Sequence, residues 1–135
     1  MVKRTLKVVA AMLLLSLPAA AHEGLGRDGI RLRGMVAHYF EESGRSAALR
    51  CGQDLTEEDF STAIRKLQSE MGPIWERYRK DFEAWVEQSR PFYERGRTSG
   101  QSSCASGRAA KEQATATHSE RAALNTAKTY AERIR

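Results

Sequence analysis

The sequence predicts an all-α fold, a small antiparallel bundle of about four helices closed by one disulfide. Three observations carry this expectation. Apolar residues recur at steps of three and four over long stretches, without the alternation a strand needs. Seven of the ten aromatic residues, Phe60, Trp75, Tyr78, Phe82, Trp85, Phe92 and Tyr93, lie between positions 55 and 96 and concentrate the core there. Two cysteines, Cys51 and Cys104, bracket that stretch in a chain with an export-type leader, which favours their pairing.

The leader consists of Lys3, Arg4 and Lys7, an apolar run over 8–17, then Pro18 and three alanines ending at Ala21, the layout of a secretory signal peptide. The apolar run is well short of the roughly 20 residues that span a bilayer. Cleavage after Ala21 is therefore expected, leaving 22–135 as a single helical domain without a transmembrane segment, in the periplasm or outside the cell. The net charge of +5 falls to +2 without the leader, with 19 basic residues against 17 acidic ones. Between positions 53 and 98 there are eight basic and ten acidic residues, so no concentrated basic patch argues for a nucleic-acid partner.

Residues 22–29 are glycine-rich and read as a flexible N-terminus. Order is expected near Asp28 or Ile30, where Leu32, Met35, Val36, Tyr39 and Phe40 form one helical face that ends near Gly44. A second helix over 56–71 starts with Thr56 as N-cap and with Leu55 and Phe60 at the two positions of a hydrophobic staple. Its face runs through Ile64, Leu67 and Met71. Pro73 has no N–H for the preceding turn and its ring clashes with the carbonyl four residues back, so Gly72-Pro73 is expected to be a corner. A third helix over 73–95 carries Ile74, Tyr78, Phe82 and Trp85, is bent near Pro91 and stops at a left-handed Gly96. Glu76 with Lys80 and Arg77 with Asp81 are its expected outer ion pairs. Residues 97–107 read as a small-residue loop anchored by Cys104. The alanine-rich stretch 108–134 is the last helix, with a thin stripe of Ala116, Ala123, Leu124, Ala127, Tyr130 and Ile134.

Pairing of Cys51 with Cys104 constrains the topology. A straight helix over 56–95 would be about 58 Å long, and the flanking tails reach about 48 Å at most, so either the chain turns back at Gly72-Pro73, or the helix ends near Pro91, or the bond is intermolecular; the turn at Gly72-Pro73 is the expected one.

No catalytic or cofactor motif stands out, and no cofactor is implied. Glu41 and Glu42 point in different directions on a helix, Glu83 and Glu87 share a face without an implied pocket, and Cys104 with His118 is better explained by the disulfide. His22 would be the mature N-terminus and is a candidate copper ligand through its amino group and ring, although neither His38 nor His118 stands at a recognised ligand spacing. Trp75, Arg77, Arg79 and Trp85 form a candidate aromatic and basic binding surface, set against the plainer reading of tryptophans in the core with arginine stems around them. Either Trp75 beside Ile74 or Phe92 beside Tyr93 is expected to leave a ring exposed. The sequence thus favours a small exported protein that binds another macromolecule without catalysis, as an adaptor, inhibitor or chaperone-like factor whose partner is another envelope protein. The alternative is a periplasmic metal-binding protein that uses His22.

Overall fold

The computed structural model describes residues 25–52 and 57–134; the leader, His22, and the expected cap and staple residues Thr56 and Leu55 lie outside them. Six helices follow one another among the described residues, with no strand: α1 (Gly26–Ala48), α2 (Glu57–Met71), α3 (Pro73–Arg77), α4 (Arg79–Gln88), α5 (Arg90–Ala105) and α6 (Ala109–Arg133). The all-α expectation holds. The expected count of about four does not, because the third expected helix is broken twice and the expected loop is helical.

The corner forms where Pro73 requires it. Gly72 takes φ +57° and ψ −132°, which a residue with a side chain rarely adopts, and Pro73 opens α3. The chain then returns, so that Arg90 at the start of α5 meets Glu57 at the start of α2 at 2.6 Å and caps the Phe60 ring at 4.4 Å. Ser89 marks the break before Pro91, whose ring removes a donor and crowds the preceding turn. The Ser89 hydroxyl donates to the Trp85 carbonyl at 2.7 Å and satisfies an acceptor at the helix end. At Tyr78 the backbone leaves helical values for one residue, at φ −119° and ψ 35°, and no residue pattern in the sequence signals it.

Helix α1 is central. It packs along both α5 and α6. It begins at Gly26, ahead of the expected start, because Leu25 packs against the core and Gly29 is buried in the first turns; residues 26–29 therefore belong to the helix and not to a flexible N-terminus. It also runs past Gly44 to Ala48.

Neither Gly44 nor Gly96 is a stop; they are where two backbones touch. A Cβ on Gly44 would collide with the Tyr93 carbonyl oxygen, and one on Gly96 with the Glu41 carbonyl oxygen. One on Gly100 would lie 2.5 Å from the Ala48 Cβ. Tyr93, Gly96, Gly100 and Ser103 make the buried face of α5, so the stretch read as a loop over 97–107 is helical to Ala105. The helix stops at Gly107 (φ +72°), where the Arg108 N–H donates to the Ser103 carbonyl at 2.9 Å and the Gly107 N–H to the Cys104 carbonyl at 3.2 Å, a Schellman closure.

Positions along α1 and α5 rise together, from Glu41 against Gly96 to Ala48 against Gly100, so these two helices are parallel. The bridge Cys51–Cys104, with Cα atoms 5.8 Å apart, joins their C-terminal ends. The expected all-antiparallel arrangement is corrected there, whereas α6 runs back along α1 and brings Tyr130 beside Arg31 at 6.0 Å.

Two aromatic series fill the core. Tyr39, Phe40, Phe60 and Tyr93 form a chain with centroids 5.1–5.2 Å apart, and Trp75, Phe82 and Trp85 form another at 4.9 and 5.3 Å. The Tyr39 hydroxyl donates to the Ala63 carbonyl at 2.8 Å, tying α1 to α2. Burial raises its pKa, and burial likewise pushes Tyr93 up to about 12. On the outer face Glu76 pairs with Arg79 and not with Lys80, while Arg77 lies over the Tyr78 ring at 5.5 Å.

Candidate binding groove

The structure divides the four residues expected to make an aromatic and basic surface. Trp75 is 5% exposed and Trp85 1%, so both rings belong to the core, while Arg77 and Arg79 are exposed. The edge of Trp75 and Arg79 border a shallow cleft with Ile64 and Val86, which also takes in Glu83 and Glu87. Arg79 is engaged by Glu76 there. Trp85 lies against a different groove.

That second groove, of about 300 Å³, runs between the first half of α1 and the α4–α5 junction. Its walls are Ile30, Arg33, Gly34 and Ala37 on one side and Gln88 and Phe92 on the other, with Trp85 at its base. The amphipathic period of α1 turns Leu32 and Val36 fully inward, and Ile30 and Gly34, each two residues before one of them, face out. Ile30 is 54% exposed, which is unusual for a large aliphatic residue on a helix with a good inner stripe.

Phe92 is the half-buried ring that the sequence leaves over beside Tyr93. Arg95 lies 4.9 Å above it and is held by two hydrogen bonds to Glu41 at 3.3 and 3.0 Å, which raise its pKa. The Gln88 Oε1 is buried without a hydrogen-bond partner, an unmet acceptor at the groove wall. Arg33 makes no ion pair among the described residues.

Gly34 separates this groove from the rest of the molecule. A glycine inside a helix costs roughly 0.5–1 kcal/mol against alanine. Gly44, Gly96 and Gly100 offset that cost by letting α1 and α5 approach, whereas a Cβ on Gly34 would meet nothing within 4 Å. The fold does not require it.

The charged groups of the other clefts pair with one another, although the Ser43 Oγ and Glu42 Oε2 are buried without a hydrogen-bond partner among the described residues. In the cleft between α1, α2 and α6, Arg50 pairs with Asp59 at 2.8 Å and Lys66 with Glu120 at 3.6 Å. Cys104 is disulfide-bonded, and His118 and His38 are exposed. Glu41 is engaged by Arg95 and Glu42 lies 3.6 Å from Arg45. Among the described residues no three histidine, cysteine or carboxylate groups converge as metal ligands, and no helix is long and apolar enough to cross a membrane.

Sequence reasoning missed Ile30, Arg33, Gly34 and Gln88. The available signal was a glycine in the middle of an otherwise regular helical stripe, Leu32-Arg33-Gly34-Met35-Val36, which propensity alone disfavours. No family model, curated protein or solved structure matches the chain.

Proposed function

We propose that the protein is exported, loses residues 1–21 as a leader, and acts outside the inner membrane by binding another macromolecule without catalysis, its docking point being the Ile30–Gly34–Phe92 groove. The tripartite leader and a cysteine pair at disulfide distance support the compartment. The observation that carries the binding reading is Gly34, a helix-interior glycine with open space above it, next to an exposed Ile30. A backbone or side chain of a partner can approach α1 there more closely than any other residue type would allow.

Intact-mass analysis of the exported protein should give a chain beginning at His22. Affinity capture from envelope extract should recover a partner with the wild-type protein and lose it with Ile30→Asp, while the two proteins keep the same far-ultraviolet circular dichroism. A full-length cytoplasmic product contradicts the export half. Equal capture by both proteins contradicts the groove.

A further inference from the structure

We infer that the groove takes an acidic polypeptide segment that places an apolar side chain between Ile30 and Phe92, passes its backbone over Gly34 and sets a carboxylate on Arg33. This rests on the binding reading above and adds the chemistry of the partner.

The charge of α1 is the first support. Between Gly26 and His38 it carries Arg27, Arg31 and Arg33 against the single acid Asp28, and Asp28 is occupied by Arg31 at 3.7 Å. Arg27, Ile30, Arg31 and Gly34 stand at i, i+3, i+4 and i+7, so two of these cations flank the apolar contact along the helix surface. Arg33 reaches the groove itself and has no carboxylate to hold it among the described residues. Beside the opposite wall Arg95 is neutralised by Glu41 and Glu87 is taken by Arg90 at 2.9 Å, and no acid among the described residues pairs with Arg33. A partner of opposite charge gains both steering and register from such an arrangement.

Shape decides between the occupants. A second copy would bring three arginines of α1 against three of its own kind. A bilayer surface meets convex apolar projections, whereas here the α1 wall is drawn back to bare backbone at Gly34, opposite Gln88 and Phe92. A groove of about 300 Å³ matches one or two side chains. A peptide segment uses all of these features.

The test measures the affinity of synthetic 14-residue peptides that share two leucines and differ only in flanking Glu, Gln or Lys, using both the full chain and the form beginning at His22. The Glu peptide should bind at least about tenfold tighter than the Lys peptide, and the gap should shrink as salt screens it. Gly34→Phe, which fills the groove, and Arg33→Glu should each weaken the Glu peptide about tenfold, with thermal unfolding of Gly34→Phe no lower than wild type. Equal binding of all three peptides, lost in Gly34→Phe, overturns the acidic partner and leaves the binding reading standing. Binding unaffected by either substitution moves the site elsewhere. Binding of none of the peptides overturns the inference. It also removes the binding reading if capture from envelope extract fails as well. Ile30-dependent binding to phosphatidylglycerol vesicles without peptide binding, or a dimer in sedimentation that Gly34→Phe dissociates, assigns the face to a membrane or to a second copy and overturns the proposal. Binding of the Glu peptide confined to the form beginning at His22 supports the proposal, because that is the form proposed to act outside the inner membrane.

Discussion

Glu112 shows how much one side chain can hold together. Its carboxylate accepts a hydrogen bond from the Ser103 hydroxyl at 2.5 Å and lies 3.4 Å from Arg108 and 3.6 Å from Arg45, so it links α5, α6 and α1 beside the disulfide. The Ser103 hydrogen bond, with the two arginines behind it, holds its pKa below the ordinary carboxylate value. A carboxylate whose pKa is depressed by folding stabilises the native state above its unfolded pKa, and that stability is lost as pH falls through the lowered value. Glu112→Gln should therefore reduce stability near neutral pH and flatten its decline in acid. Denaturant melts at intervals from about pH 7 to pH 3 check this; parallel curves for the two proteins would assign Glu112 no share of the acid limb.

Among the elements, the pair α1 and α5 most clearly separates what was legible from what was not. The stripe Leu32, Met35, Val36, Tyr39 and Phe40 announced α1 because large apolar residues mark a buried face, and the corner at Gly72-Pro73 was legible because proline has one steric consequence. α5 was read as ending at Gly96 because isolated glycines and serines ordinarily break helices. Here Gly96, Gly100 and Ser103 lie at i, i+4 and i+7 opposite Gly44 and Ala48, and close backbone approach replaces bulky side chains as the packing device. A small-residue face produces no hydrophobic periodicity, so its signal is the spacing itself. The Cys51–Cys104 bridge fixes the same pair at one end and closes a separation of 53 residues. In the chain-entropy account this stabilises the fold by about 4 kcal/mol. Replacing both cysteines by serine should lower the unfolding free energy by that order in denaturant melts, and a loss below about 1 kcal/mol would mean that the glycine contact already holds the two ends without help.

For the molecule as a whole, one helix serves two purposes. The second half of α1, through Gly44, builds the fold against α5, and its first half, through Ile30, Arg33 and Gly34, borders a groove that no described residue fills. The aromatic and basic surface expected at Trp75, Arg77, Arg79 and Trp85 was misplaced because periodicity assigns rings to a face of a helix but cannot say which neighbour covers that face. The groove depends on the α4–α5 junction arriving opposite α1, a long-range fact that local pattern does not contain. The most direct measurement compares two glycine-to-alanine substitutions in equilibrium denaturation. Gly96→Ala should cost about 1–3 kcal/mol, as expected for overpacking a closed contact. Gly34→Ala should instead stabilise the protein by roughly 0.5–1 kcal/mol, because the helix gains and nothing is displaced. A loss of stability in Gly34→Ala comparable to that of Gly96→Ala would show that Gly34 serves the fold, and would contradict its assignment to a partner.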